Sequence, residues 1–115
     1  MEIDGRAPDA AWVAAVRAAA AHENIYCKAS GIVELAAERP APTDPAYYAP
    51  TLDVLWAAFG EDRLIYGSNW PVCELAGTLP DVHAIVKTYF ESKGARAASK
   101  YFHDNARAAY RFPPR

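Results

Sequence analysis

Apolar residues recur at helical spacing near the start of the chain and then give way to a short strand-like run. The helical stripe contains Trp12, Val13, Val16, Ala19 and Ala20. Asp9 precedes it and is suited to cap the first turn. Residues 25–29, Ile-Tyr-Cys-Lys-Ala, have no helical stripe and favour a strand. The pattern predicts a helix, a tight turn and a strand.

The segment after this strand is rich in proline and predicts a long loop. Ser30-Gly31 ends the strand, and prolines follow at positions 40, 42, 45 and 50. Because proline does not fit helix interiors or central strands, we expect a loop from Gly31 to Pro50. Loops of this length in compact domains are often functional lids or binding loops.

A second helix and strand follow Pro50. Thr51 is a candidate N-cap, and Gly60 is suited to end the helix with positive φ. The inward face is predicted to contain Leu52, Leu55, Trp56 and Phe59. Residues 64–67, Leu-Ile-Tyr-Gly, have the character of a short buried strand.

Helices complete the chain. Thr78 and Pro80 mark the start of a third helix, and Gly94 marks its end. Its inward residues are predicted to be Val82, Ile85, Val86, Tyr89 and Phe90. Residues 95–110 carry a stripe of Ala98, Tyr101 and Phe102, with a predicted break at 103–105 where Asp104 or Asn105 caps a terminal helix.

Strands that alternate with helices imply a parallel sheet, and hence an α/β fold. In such folds, ligands bind where loops leave the carboxyl ends of the strands. Two strands leave open edges, and a stable sheet usually needs three or more. We therefore expect the single unit of residues 1–115 to be part of a larger protein, or to associate with another chain.

Composition excludes several classes of function. The net charge of -2 and the absence of a basic cluster argue against nucleic-acid and anionic-membrane binding. No apolar run approaches the roughly 20 residues of a membrane span, and the first residues do not resemble a signal peptide, so we expect a cytoplasmic location. Cys27 and Cys73 lack Cys-x-x-Cys spacing and are expected to be reduced.

Three ordered motifs make the chain recognisable. Tyr26-x-Lys28-x-Ser30-Gly31 ends the first strand, and Asn105-Ala106 lies near the end of the chain. Between them, residues 59–72 read Phe-Gly-Glu-Asp-Arg-Leu-Ile-Tyr-Gly-Ser-Asn-Trp-Pro-Val. In this order the motifs resemble the C-terminal portion of the amidohydrolase-related family, which includes lactonase-like, metal-dependent hydrolases.

The resemblance implies a (β/α)8 TIM-type barrel to which this chain contributes the last two parallel strands and their helices. A complete barrel needs roughly 250 residues, so this one is incomplete. The resemblance also implies a small-molecule lactone or similar carbonyl substrate and a divalent metal of the zinc or manganese type. The family's His-x-His pair is absent, and His22, His83 and His103 do not have the spacing of metal ligands. We expect this chain alone to bind no metal and to be inactive.

Four residues near the ends of the strands are candidate site residues. The family usually has aspartate at the position of Asn69, and an amide cannot accept a proton near neutral pH, so Asn69 is expected to position substrate or water, or to serve as a turn residue. Lys28 and Ser30 share one side of the first strand, where Lys28 either binds a substrate anion or forms a structural ion pair. Trp70 is expected to pack under its loop or to line the substrate pocket.

Three interpretations remain open. The chain is a fragment of a metal-dependent hydrolase, or a non-catalytic half-domain that associates with another chain or with itself through open strand edges. A third interpretation is a truncated reading frame.

Overall fold

The computed structural model describes residues 1–113. These described residues form five α-helices and two strands, in the order α1 (Ala10–Ala20), β1 (Cys27–Ala29), α2 (Pro45–Phe59), β2 (Leu64–Tyr66), α3 (Leu79–Ser92), α4 (Ala95–Ser99) and α5 (Asn105–Tyr110). A 3-10 turn spans Val72–Leu75, and a π-helical turn spans Lys100–Asp104. Within residues 1–113, every helix is too short or too polar to cross a membrane.

The two strands pair in parallel, as the alternating pattern predicts. Cys27 is aligned with Leu64, and Ala29 with Tyr66. Ile3 adds one parallel bridge, to Ala36 in the loop after β1. The α/β class and the parallel pairing are confirmed, and both strands send their carboxyl ends to the same edge of the sheet.

Most predicted helix ends are confirmed. The Asp9 carboxylate accepts hydrogen bonds from the backbone N–H groups of Ala11 and Trp12, and the Thr78 hydroxyl accepts one from Asp81. Gly60 and Gly94 end α2 and α3 with positive φ angles of 66° and 115°. The five predicted inward residues of α3 are all buried.

The predicted start of α2 is wrong. The helix begins at Pro45, where Asp44 caps it by accepting a hydrogen bond of 2.9 Å from the Ala46 N–H, and Pro50 lies inside it. Proline at the first helical position lacks an N–H that would be unpaired in any case. Pro50 does cost one backbone bond, but the two turns around it bury Tyr48 and Leu52, which are 0% and 1% exposed. Burial of these side chains outweighs the proline signal.

The C-terminal break also differs from the prediction. The helix does not stop at residues 103–105 but widens into the π-helical turn. Asp104 occupies the N-cap position of α5, but its side chain makes no capping hydrogen bond, and Asn105 is the first residue of that helix. The Asp104 carboxylate instead accepts hydrogen bonds from Ser99 and His103. Asn105 is buried, and its Nδ2 donates to the carbonyl oxygens of Glu61 at 2.7 Å and Leu64 at 2.8 Å.

The C-terminal segment of the chain contacts both strands of the sheet. Asn105 holds the beginning of β2 through Leu64. The Tyr101 hydroxyl donates a hydrogen bond of 2.9 Å to the Ala29 carbonyl at the end of β1, and its ring stacks on Phe90 of α3 with centroids 3.6 Å apart. The π-helical turn and α5 therefore contribute directly to the position of the two strands.

Replacement of Asn105 by alanine should destabilise the chain. The change removes two hydrogen bonds at a side chain that is 4% exposed and leaves two carbonyl groups without their donor. We expect a loss of about 2–3 kcal/mol in the free energy of unfolding, measured by urea denaturation. Asn24→Ala, at an exposed turn residue, is the matched control and should change stability little. Equal stability of the two variants would contradict the role of Asn105.

The buried tyrosines predict loss of stability in alkali. Burial raises the pKa of Tyr48 to about 12, and burial also raises the pKa values of Tyr89 and Tyr101. An unfolded tyrosine ionises near pH 10, so the stability from neutral phenols is fully present below that pH and is lost as the pH rises towards 12. Tyrosinate absorbance at these residues should therefore appear together with loss of the far-ultraviolet dichroism. Titration of all seven tyrosines near pH 10 in a folded chain would contradict this expectation.

Candidate active site at the carboxyl ends of the strands

The loops that leave β1 and β2 contact each other closely. Ser30 follows β1 directly, and Gly67 follows β2 directly. A Cβ atom added at Gly67 would lie 2.8 Å from the Ser30 Cβ, so a side chain at this position would force the two loops apart. The glycine of the Gly-Ser-x-Trp-Pro motif therefore has a steric role, and Ser30 lies partly exposed at this edge.

Asn69 lies at the same edge in the left-handed conformation, with φ of 58°. Asparagine tolerates this region better than most residues. Its Nδ2 donates a hydrogen bond of 2.6 Å to Oε1 of Glu34, in the loop after β1. Gly31, with φ of 71°, lies beneath the amide, since a Cβ there would be 3.7 Å from Nδ2. The prediction that Asn69 lies at the site edge in a turn conformation agrees with this geometry, whereas its role in catalysis stays a prediction.

Glu34 is the residue that the sequence interpretation missed. It is half-buried, and its second carboxylate oxygen, Oε2, is enclosed without a hydrogen-bond partner among the described residues. The available signal was an acidic residue among apolar ones, in Ile32-Val33-Glu34-Leu35-Ala36, shortly after the end of a strand. Sequence distance hid its partner, because Asn69 is 35 positions away.

Trp70 does not pack under its loop, which corrects that expectation. Its side chain is 61% exposed, and its backbone N–H donates to the Ser68 hydroxyl at 3.2 Å. Val72 and Leu75 in the following 3-10 turn are also exposed, at 48% and 83%. The loop after β2 therefore presents an apolar surface beside Asn69.

Lys28 extends from the exposed side of β1. Its ammonium group lies 6.0 Å from the centroid of the Tyr110 ring on α5, at the outer limit of a cation–π contact. Within residues 1–113, no carboxylate lies within 4.0 Å of it. The structure therefore gives no support to the ion-pair alternative in the described part of the chain, and the substrate-anion role stays a prediction.

One of the three histidines, His83, lies next to the carboxyl end of β2, because its ring contacts that of Tyr66, the last residue of the strand. His22 is exposed after α1, His83 packs against the rings of Tyr66 and Phe102, and His103 contacts the Asp104 carboxylate at 2.8 Å. In the described part of the chain, no three side chains among His, Cys, Asp and Glu come close enough to share a metal ion. These residues by themselves do not fit a resident metal.

Both thiols are shielded. Cys73 is fully buried in the 3-10 turn, and Cys27 in β1 is half-buried. Burial raises the pKa of each thiol, which keeps it protonated and poorly nucleophilic near neutral pH. Neither thiol therefore has the electrostatic environment of a catalytic cysteine.

Comparisons with known proteins agree with the motifs. The amidohydrolase family profile matches residues 2–112. An L-fucono-1,5-lactonase of Burkholderia multivorans is 36% identical over 107 residues, which are 90% of this chain and 36% of that protein. The L-fucono-1,5-lactonase of Burkholderia ambifaria is 40% identical over 74 residues, 64% of this chain and 24% of that protein.

Solved structures of amidohydrolases also match this chain. Two crystal structures of an amidohydrolase from Burkholderia multivorans, one with bound HEPES and one with bound zinc, superpose with a TM-score of 0.80 at 36% identity. The match covers 89% of this chain and 37% of that one, so the chain spans little more than a third of the length of these relatives. The profile match over nearly all its residues shows that the chain belongs to the amidohydrolase family, with lactonases among its relatives.

Proposed function

We propose that this chain is the C-terminal third of a metal-dependent hydrolase that acts on a lactone or a similar carbonyl substrate, with a (β/α)8 barrel as its complete fold. Two contacts carry the proposal, the close approach of Ser30 to Gly67 and the hydrogen bond between Glu34 and Asn69. They bring the loops after both strands together at the edge where parallel β/α proteins bind ligands. The lactonase relatives and the zinc in a related crystal structure favour the reaction class and the metal.

In this proposal the metal ligands come from the part of the relatives that this chain does not span. The described residues contain no cluster of three His, Cys, Asp or Glu side chains that could hold a metal ion. The chain contributes groups that bind and orient. The exposed Asn69 amide can donate and accept hydrogen bonds but cannot take a proton, Lys28 supplies a positive charge for an anionic group, and Trp70 offers an apolar face to a sugar-like ring.

A specific surface favours the alternative of association with another chain. A groove of about 550 Å³ lies beside β1, between α1 and α2. Its lining includes Trp12, Val16, Leu55 and Phe59. Three further lining residues are substantially exposed, namely Met1 at 46%, Ile25 at 37% and Leu35 at 41%. In the described residues β1 pairs only with β2, so this apolar groove flanks an open edge that another strand can extend.

The isolated chain should not hydrolyse L-fucono-1,5-lactone above background when zinc or manganese is added. A fusion in which this chain replaces the corresponding last third of the Burkholderia multivorans lactonase should regain metal-dependent hydrolysis, measured by acid release. The matched control is the same lactonase without its last third, which should be inactive. Clear metal-dependent turnover by the isolated chain would contradict the fragment proposal, and an inactive but folded, zinc-loaded fusion would contradict the lactonase proposal.

The open edge predicts self-association of the isolated chain. Ile25→Lys places a charge in the groove and should shift the sedimentation profile towards monomer. Leu75→Lys adds the same charge at a residue that is 83% exposed and does not line the groove, so it should leave the profile unchanged. A monomeric parent chain that binds a hydrophobic dye would contradict self-association while confirming the apolar surface.

A further inference from the structure

The apolar groove beside β1 follows the whole strand. Its lining includes each residue from Ile25 to Ser30, so it extends beyond both ends of β1. Six extended residues span about 20 Å, which is the length of an ordinary strand. The groove therefore has the length that one further strand needs.

The backbone of β1 has hydrogen-bonding groups to offer on this side. The Cys27 N–H donates a hydrogen bond of 2.8 Å to the Arg63 carbonyl, in the direction of β2. Because successive residues of a strand direct their backbone groups to opposite sides, Lys28 directs its N–H and its carbonyl towards the groove. Among the described residues, β1 pairs with β2 alone. An edge of this kind is a template for another strand.

The helices beside β1 determine on which side a preceding strand lies. The helices α1 and α2 pack against each other and against the core that contains Ala29 and Leu64, so they cover the same face of the sheet. Connections from a strand through a helix to a parallel strand are right-handed. By this rule α2 leads from β1 to β2 on one side, and α1, on the same face, leads to β1 from a strand on the other side. The groove lies on that other side.

The first residues of the chain give the direction of that strand. Ile3 is 2% exposed, and its N–H donates to the Leu35 carbonyl at 2.8 Å while its carbonyl accepts from the Ala37 N–H at 2.7 Å. The Tyr47 hydroxyl donates to the same carbonyl at 2.8 Å. These contacts hold Ile3 beside the loop after β1, whereas Met1 lines the groove. A strand that leads into Met1 therefore runs towards the carboxyl ends of β1 and β2, parallel to both.

The lining of the groove specifies the chemistry of its occupant. The helices contribute large apolar side chains, namely Trp12, Val16, Leu55 and Phe59. A strand buried against them needs apolar side chains on the face that meets the helices, because a charge there would be desolvated without a partner. This chain corresponds to 36% of the Burkholderia multivorans lactonase, so most of that protein lies outside the match and can supply such a strand.

We propose that the groove is the docking site of one apolar strand that runs parallel to β1, ends next to Met1 and comes from the part of the lactonase fold that precedes this segment. The inference rests on the proposed barrel and adds the side, the direction and the chemistry of the third strand. The docked strand pairs with the backbone of Lys28 and covers the exposed apolar residues Met1, Ile25 and Leu35. Self-association of the isolated chain uses the same edge when this strand is absent.

The test adds the strand to the chain. About 12 residues, enough for one strand and a short connection, are placed directly before Met1 and taken from the Burkholderia multivorans lactonase immediately upstream of its match. Nuclear Overhauser contacts should connect the added strand to the Lys28 amide in the order of a parallel ladder. The extended chain should also lose most of the hydrophobic-dye binding of the parent chain, and its sedimentation profile should shift towards monomer.

Matched variants separate docking from a general effect of the extension. An extension of the same length built from glycine and serine should leave dye binding and sedimentation as in the parent chain. In the chain with the lactonase strand, Ile25→Lys should release the strand and restore dye binding, because it places a charge in the groove. Leu75→Lys adds the same charge outside the groove and should leave the strand docked. Far-ultraviolet dichroism checks that each variant is folded.

The outcomes distinguish this inference from the lactonase proposal. A folded, extended chain whose added segment stays flexible, with the dye binding and self-association of the parent, would overturn the docking site and assign the groove to a second copy. Contacts in antiparallel order would overturn it as well. None of these measurements depends on activity. A docked strand together with a folded, zinc-loaded but inactive lactonase fusion would confirm the docking site and overturn lactone hydrolysis.

Discussion

Parallel pairing of β1 with β2 constrains everything else in this chain. Two parallel strands require the connection between them to return across the whole length of the sheet, and α2 makes that crossing. The same pairing sends the loops after both strands to one edge, where Gly67 permits contact with Ser30 and Asn69 reaches Glu34. The π-helical turn and α5 then support this arrangement through Tyr101 and Asn105, each of which donates a hydrogen bond to a strand carbonyl. The site edge is therefore a consequence of the sheet and its helical support.

Local chemistry explains which features could be predicted from sequence. Asp9, Thr78, Gly60 and Gly94 act within a few residues of their own position, and each marks a real helix end. The amphipathic stripe of α3 is equally local. The prediction failed at Pro50 because burial of Tyr48 and Leu52, a tertiary effect, outweighed a local signal. Asn105 was misinterpreted for the same reason, since its partners, Glu61 and Leu64, are over 40 positions away.

The residues of the candidate site also divide into those that local sequence predicts and those that depend on tertiary contacts. Asn69, Ser30 and Trp70 could be placed at the strand ends from their motifs, although the exposure of Trp70 was not foreseen. Glu34 could not be found in this way, because its significance arises only when the loops after β1 and β2 come together. The pair also changes the interpretation of Asn69. The resemblance to the family implies an aspartate at this position, so the amide suggests a missing charge. The structure places the Glu34 carboxylate 2.6 Å from that amide.

The central claim is that the loops of Glu34 and Asn69 form one side of a lactone-binding site when the barrel is complete. A crystal structure of the fusion with the Burkholderia multivorans lactonase, containing a non-hydrolysable lactone analogue, tests it most directly. The account predicts that the analogue lies at the carboxyl ends of β1 and β2, beside the loops that contain Glu34 and Asn69. An analogue bound elsewhere in the barrel, with the Glu34–Asn69 pair remote from its carbonyl group, would contradict it.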